Sequence, residues 1–392
     1  MKIPLDRWHT ANAKMSEFAG FDMPILYNKS GILKEYLAVR NSAGIFDVSH
    51  MGRMIIQGKD ALTFFNTIVP RDLTKLVPTQ SAYTFILTEK AGFIDDVVFT
   101  YRGDKEGIPE YFLVWNAGRL QEVDNWLKDL EASQKRSNPD FDVKLDNISA
   151  QSAMFAVQGP KTDEVLSKII PELPNRWRMI DFSFEGIKGL ISGTGYTGEH
   201  GYEVIVFDTS VDKPENAEKV WKAILEANPD IEIIPCGLGA RDALRLDAGY
   251  CLSGFDFDET INPIEADFYS PEAKFNPPFI HIDKSHTFIG QESLKKAAAS
   301  YPPVKKRIGF LAEDKGIPRA HDKLIVEGKE VGYITSGGYS PLLKIGVGMG
   351  YIDTKFAEKD TKIEFQGRKR HPAIVKPFPF YDPEKYGARR KK

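Results

Sequence analysis

Apolar residues recur at helical spacing in three stretches of the chain, and each stripe predicts an amphipathic helix. Asp60 precedes the first stripe and is expected to cap its helix, and Pro214 lies near the first turn of the third. The stripes are Ala61, Leu62, Phe65, Ile68 and Val69; Leu120, Val123, Trp126, Leu127 and Leu130; and Ala217, Val220, Trp221, Ile224 and Leu225.

Short runs rich in β-branched and aromatic residues lie between these stripes and predict strands. The clearest are residues 111–115, 153–157 and 202–207. Because strands and helices mix irregularly, without a repeating βαβ rhythm, the pattern favours an α+β fold over a doubly wound parallel sheet.

The pattern changes after about residue 280. From Arg307 onward, short apolar runs are separated by glycine-containing turns, as in an all-β domain. Residues 324–331 predict a hairpin around Gly328, and residues 345–352 and 362–365 continue the series. We therefore expect a C-terminal β-domain over 281–392, reached through an irregular proline-rich segment at 269–278.

The composition narrows the classes of function. The 392 residues are 42% apolar and 27% charged, with a net charge of −3, so we expect no general surface for nucleic acid or membrane. The basic run 389–392 is expected to be a solvated tail. Without a secretory signal or an apolar run of about 18 residues, the chain is expected to be cytoplasmic. Cys236 and Cys251 form no CxxC pair and are expected to be buried thiols.

Neither the glycine-rich segment nor the histidines have the sequence context that a dinucleotide site or a metal site requires. Residues 193–198 read GTGYTG, but a strand pattern follows where a dinucleotide site needs a helix, so we expect a tight turn. The histidines show no spacing typical of a metal site, and we predict no metal. Those considered are His50, His200, His281 and His286.

Three polar features are candidates for chemistry. Asp95 and Asp96 lie within an apolar strand pattern, where alternation sends one to a pocket and leaves the other free to be solvated. Glu203 also lies in a strand pattern, and Arg241 follows a glycine-rich helix entry that suits an anion. A structural alternative stays open for each feature. The aspartate pair is also typical of a strand end, and Glu203 of an outward-facing acid in a strand. The arginines of the helix could instead pair with Asp242 and Asp247.

Taken together and in order, the motifs resemble the T-protein family of glycine cleavage, over nearly the whole chain. The last of them resembles the archaeal branch of the family. They are EFAGFDMP (17–24), AVR (38–40), GIFDVSHMG (44–52), GFIDD (92–96), VQGPK (157–161), GYTGE (195–199), CGLGARDALRL (236–246), TSG (335–337), SP (340–341) and FYDPEKYG (380–387).

This resemblance implies a three-domain cloverleaf around a folate channel, with a C-terminal antiparallel, jelly-roll-like β-barrel. Two interleaved subdomains, about 1–52 with 146–280 and 53–145, make up the folate-binding region 1–280. The implied reaction moves the one-carbon unit of an aminomethyl group to tetrahydrofolate, which forms 5,10-methylenetetrahydrofolate and releases ammonia. The donor is the lipoyl arm of the H-protein, and the P-protein and L-protein are indirect partners.

The resemblance also assigns site residues. Asp96 matches the active-site aspartate of the family, placed to stabilise a cationic methylene or to relay protons. Glu203 matches a glutamate that binds the pterin, and Arg241 an arginine suited to an anionic or carbonyl part of the ligand. Further positions implied in the pocket are Tyr83, Asn116, Tyr196, Met51 and Tyr381.

Three stretches depart from the family pattern: Ser253-Gly254 where Tyr-Gly is usual, residues 265–278 with a proline-rich insertion, and residues 69–72. All three bear on the donor. Two alternatives therefore stay open, a folate-dependent demethylase of a small methylated compound and a folate-binding assembly factor without transferase activity.

Overall fold

A computed structural model describes residues 1–390 of the chain. It contains eight α-helices within that range, together with short 3-10 turns at Leu73–Lys75, Ala117–Arg119, Ser149–Gln151 and Thr354–Phe356. The helices are α1 (Asp6–Asn12), α2 (Gly31–Asn41), α3 (Ala61–Ile68), α4 (Leu120–Ser137), α5 (Thr162–Leu166), α6 (Glu215–Glu226), α7 (Leu238–Ala248) and α8 (Gln291–Ala299).

An N-terminal hairpin and a six-stranded sheet form the first part of the molecule. The hairpin pairs β1 (Ala13–Phe18) with β2 (Phe21–Tyr27). The sheet has the order β10-β11-β12-β9-β3-β13, and only the β3–β13 pair is parallel. Its strands are β3 (Ala43–Asp47), β9 (Ser152–Gln158), β10 (Met179–Phe184), β11 (Ile187–Ser192), β12 (Gly201–Phe207) and β13 (Ile233–Pro235).

A five-stranded antiparallel sheet of order β5-β6-β7-β4-β8 is built from the chain between residues 52 and 147. Its strands are β4 (Gly52–Gln57), β5 (Ser81–Leu87), β6 (Phe93–Lys105), β7 (Ile108–Trp115) and β8 (Lys144–Asn147). A shared core that includes Phe46, Phe112, Met154 and Leu190 joins this sheet to the six-stranded one. The predicted domain boundaries stay predictions.

The C-terminal region is a closed antiparallel barrel of order β14-β17-β16-β15-β18-β19. Closure comes from pairing of the first and last strands, for example Phe310 with Val375. The strands are β14 (Lys305–Ala312), β15 (Lys323–Val326), β16 (Lys329–Ser340), β17 (Ile345–Asp353), β18 (Lys362–Gln366) and β19 (Arg370–Lys376). This confirms the expected α+β fold with a C-terminal β-barrel.

The element predictions are confirmed with local corrections. The three stripes lie on α3, α4 and α6, the three strand runs lie within β7, β9 and β12, and β15 and β16 form the predicted hairpin. Asp60 occupies the N-cap position of α3 but makes no side-chain cap. Its carboxylate instead accepts from the backbone N–H of Asp142 at 2.8 Å, so it fixes the loop before β8 rather than the helix.

Two further expectations concern the termini and the membrane. Arg390 is not simply solvated: its guanidinium lies 3.2 Å from the Glu199 carboxylate and donates to the Arg40 carbonyl at 2.8 Å. Lys391 and Lys392, the rest of the expected tail, lie outside the described residues. Over residues 1–390, none of the helices has the length and apolarity that crossing a membrane requires.

Candidate active site

A cavity of about 630 Å³ lies where the two sheets, α7 and the segment before the barrel meet. Strand β6 presents Asp96 to it, β12 presents Glu203, and α7 presents Arg241. Seven of the eight predicted site residues line this one cavity: Met51, Tyr83, Asp96, Asn116, Tyr196, Glu203 and Arg241. Side chains far apart in the sequence therefore meet in one space of the size typical for a small-molecule site.

Asp96 is held by two donors. The Tyr83 hydroxyl donates to one carboxylate oxygen at 2.8 Å, and Asn116 Nδ2 donates to the other at 2.7 Å. Burial, and next the charge of Asp95, raises the pKa of Asp96 to about 7. The carboxyl group therefore exchanges a proton near neutral pH, as a group that handles protons in a reaction requires.

The expectation that Asp95 can be solvated is wrong. Its side chain is fully buried and accepts from the backbone N–H of Asn116 at 2.9 Å, from Asn116 Nδ2 at 2.8 Å and from the Ser253 hydroxyl at 2.6 Å. Alternation does send the two carboxylates to opposite faces of β6, but the loop that carries Ser253 covers the second face.

Glu203 and Arg241 lie together at another part of the cavity. The Thr194 hydroxyl donates to the Glu203 carboxylate, and burial raises the pKa of Glu203 while this bond and the charge of Arg241 oppose the rise. The Arg241 guanidinium stacks 4.7 Å from the centre of the Tyr196 ring. Its buried Nη1 has no hydrogen-bond partner among residues 1–390. A buried donor without a partner is costly, so this group is suited to a ligand acceptor.

The two arginines of α7 have different roles. Arg245 contacts Asp242 at 2.8 Å, as the structural alternative proposed, but its second partner is Asp256 at 2.6 Å rather than Asp247. Asp247 instead accepts from Tyr36 and Ser340. Arg245 thus joins α7 to the segment before the barrel, whereas Arg241 lines the cavity.

Within residues 193–198, the GTGYTG segment reverses through a series of bends without the hydrogen bond of a tight turn, and β12 rather than a helix follows it, as expected. A Cβ atom on Gly195 would lie 2.0 Å from Gln158 Oε1, so a larger residue here would displace the buried Gln158 amide from its bonds to the Thr194 and Tyr202 carbonyls. Tyr196, in the middle of the turn, donates its hydroxyl to the Cys251 carbonyl and lines the cavity.

Tyr381 is not among the residues that line the cavity. Its ring lies under the Arg40 guanidinium, with 4.3 Å from ring centre to Cζ, and it packs behind Gly198 of the turn. The C-terminal tail contacts the cavity instead: Ala388 lines it, and its backbone N–H donates to the Gly198 carbonyl at 2.8 Å.

Several lining residues were not predicted as site residues. Basic groups enter from separate loops and from β14, and the insertion supplies apolar groups, so no single sequence motif could indicate them. The thiol of Cys251 also lines the cavity, and burial raises its pKa to about 12. The others with distinct chemistry are Arg71, Arg176, His200, Arg307, Asp267, Phe268, Pro277, Pro278 and Phe279.

Comparison with known proteins agrees with this geometry. The model of the GCVT N-terminal domain matches residues 5–269, and that of the glycine cleavage T-protein C-terminal barrel domain matches residues 305–382. A solved structure of the glycine cleavage system aminomethyltransferase T from Bartonella henselae superposes with a TM-score of 0.81 at 28% identity, over 97% of this chain and 98% of that one. These matches over most of the chain define its class as a one-carbon transferase.

Two curated relatives extend the comparison over nearly the full length. A probable aminomethyltransferase of Thermococcus kodakarensis is 37% identical over 99% of this chain and 98% of the relative. An aminomethyltransferase of Shouchella clausii is 38% identical over 97% and 98%. The chain belongs to the glycine cleavage T-protein family, and its activity is that of an aminomethyltransferase. The demethylase alternative is not favoured.

Proposed function

We propose that the cavity binds tetrahydrofolate and that the reaction takes its one-carbon unit from an aminomethyl group on a lipoyl arm. The carbon becomes the methylene bridge of 5,10-methylenetetrahydrofolate, the amine leaves as ammonia, and the arm is left as a dithiol. The observation that carries this proposal is the carboxylate of Asp96, held by Tyr83 and Asn116 in the wall of the cavity.

Glu203 and Arg241 are proposed to recognise the pterin ring. A carboxylate accepts well from two adjacent N–H donors, which a pterin edge offers, and the open Nη1 of Arg241 can donate to a ring carbonyl. Tyr196 supports this arrangement because its ring already stacks with the Arg241 guanidinium. Met51 contributes apolar surface to the same wall.

Asp96 is proposed to act at the reacting carbon. A cationic iminium methylene forms as ammonia leaves, and a fixed carboxylate nearby lowers its energy without reorganising. Protonation near neutral pH also allows Asp96 to hold or release the proton that the leaving amine or the folate nitrogen exchanges. Tyr381 is proposed to act only indirectly, by supporting the 193–198 turn from behind.

The donor is proposed to be lipoylated H-protein, with the P-protein and L-protein as indirect partners in the cytoplasm. The basic residues proposed for its docking surface differ in whether they already contact other groups of the chain. Arg71 lines the cavity, Lys34 pairs with Glu232 at 2.7 Å, and Lys75 lies 3.5 Å from Asp72. Lys29 and Lys344 complete the proposed set.

The deciding assay mixes purified protein, tetrahydrofolate and aminomethyl-lipoyl H-protein, and measures ammonia and methylenetetrahydrofolate. We expect folate-dependent release of both in equal amounts, and slow reaction of free aminomethyl dihydrolipoamide, because it lacks the positioning that docking gives. No folate-dependent ammonia release, together with turnover of a free methylated compound, would refute the proposed donor.

A further inference from the structure

The two carboxylates of the Asp95–Asp96 pair are joined by a single amide group. Asn116 Nδ2 lies 2.8 Å from Asp95 Oδ1 and 2.7 Å from Asp96 Oδ1. The two oxygens are therefore within about 5.5 Å of each other, twice the length of a hydrogen bond. At this separation, in a buried site, the charge of one carboxylate strongly opposes ionisation of the other.

Ser253 is the third member of this network. Its hydroxyl donates to Asp95 Oδ1 at 2.6 Å, a short bond typical of a charged acceptor. Ser253 lies in the loop that covers β6, and other contacts hold this loop in place. The Phe93 N–H donates to the Asp258 carbonyl at 3.0 Å, and the Leu252 N–H donates to Asp256, which is itself paired with Arg245.

We propose that Ser253 and Asp95 are positioning residues for Asp96: the hydroxyl of Ser253 keeps Asp95 ionised, and the charge of Asp95, joined through Asn116, sets the pH at which Asp96 takes up its proton. The proposal deepens the proposed function and rests on it for the role of Asp96.

The other groups that face the pair stay in one charge state near neutral pH. Tyr83 faces Asp96 from β5, and Tyr196 and Cys251 lie near enough for the charge of Asp96 to act on them. Burial raises the pKa of all three above their usual ranges, so they stay neutral. Arg119, near Asp95, stays charged because the neighbouring acids raise its pKa against the effect of burial. Of these groups, the two aspartates are therefore the ones whose charge changes near neutral pH.

The direction of each effect follows from the network. Loss of the Asp95 charge removes the repulsion that opposes ionisation of Asp96, so Asp95→Asn should lower the pH at which Asp96 ionises. Loss of the Ser253 hydroxyl makes Asp95 easier to protonate. In Ser253→Ala, the first proton that the pair takes up should therefore bind to Asp95 instead of Asp96. Asp96 should then stay ionised to a lower pH than in the wild type, as it does in Asp95→Asn.

The test titrates ligand-free protein labelled with carboxyl-¹³C aspartate by infrared spectroscopy between pH 5 and 9, and the Asp96→Asn spectrum assigns the Asp96 band. Asp95→Asn should move the Asp96 titration down by roughly one to two pH units, from the repulsion at this separation. Ser253→Ala should move it in the same direction by about half a unit to one unit, as expected for one charged hydrogen bond. Ser253→Thr, which keeps the hydroxyl, should restore the wild-type titration, and Ser300→Ala, at an exposed serine, should match wild type.

The acid limb of ammonia release should move with the infrared titration. An unchanged Asp96 titration in Ser253→Ala, or a shift to higher pH, would overturn the proposal, and these variants decide it even if Asp95→Asn does not fold. Failure of the proposed function is distinguishable, because it abolishes folate-dependent turnover of the wild type and leaves the ligand-free titration unaffected.

Discussion

The replacement Asp96→Asn tests the chemical role of the cavity most directly. Asparagine keeps the shape of the side chain but removes the charge, and it places an NH₂ group where one of two donors, Tyr83 or Asn116, now finds an oxygen. Loss of one preorganised electrostatic group costs about 10²–10³ in turnover. We expect kcat to fall by this factor, while the dissociation constant for tetrahydrofolate changes less than about tenfold, since Glu203 and Arg241 still hold the ring.

The fold should tolerate this change. The pKa of Asp96 is raised in the folded protein, so folding disfavours its ionised form. This group therefore lowers the free energy of unfolding increasingly as the pH rises above the pKa of the unfolded state, near 3.9. A neutral asparagine removes that penalty, so the midpoint of thermal unfolding at pH 8 should be unchanged or higher.

Single-turnover ammonia release, with thermal unfolding measured alongside, provides the assay. If ionised Asp96 is the active form, the wild-type rate should fall as pH decreases through about 7, and this limb should be absent in Asp96→Asn. The matched control is Asp104→Asn, at the exposed end of the same strand. A near-wild-type rate in Asp96→Asn would refute the assignment, as would a large loss of stability that accounts for the lost activity.

Three further outcomes are expected. Glu203→Gln should weaken tetrahydrofolate binding roughly 10–100-fold in calorimetric titration, since a charged hydrogen bond of about 1.5–3 kcal/mol is lost, and an unchanged dissociation constant would return Glu203 to a structural role. Raising the ionic strength from about 0.05 to 0.3 M should increase KM for aminomethyl-lipoyl H-protein several-fold with little change in kcat, and Lys29→Glu should have the same effect. A KM that does not depend on ionic strength would contradict a charged docking surface. Arg245→Met leaves the Asp256 carboxylate buried without its ion-pair partner, so the free energy of unfolding should fall by about 3–5 kcal/mol in urea titration. A fall below about 1 kcal/mol would show that this pair is not a main link to the barrel.

The sequence predicted the elements with the clearest local pattern. Apolar periodicity located α3, α4 and α6, and the change of pattern after residue 280 located the barrel. The N-terminal hairpin was missed, because a register shift between Lys14 and Met15 breaks the alternation on which strand prediction depends. The predicted site rested on the family resemblance, and the cavity brings together seven of its eight residues.

Contacts between side chains that lie far apart in the sequence could not be predicted from local pattern. The alternation rule placed Asp95 on the opposite face of β6 correctly, but it could not indicate that Ser253, 158 positions later, covers that face. The same holds for Arg241 and Arg245, which lie one helical turn apart yet differ in partners because the segment with Asp256 reaches only one of them.

The segment at residues 388–390 has a consequence for truncated forms of the chain. Because Ala388 forms part of the cavity wall and Arg390 contacts Glu199, residues 388–390 complete a site whose other lining residues lie between Met51 and Arg307. A chain truncated before residue 387 would lack this part of the wall, so its ligand-induced protection from proteolysis should be weaker than that of the 392-residue chain.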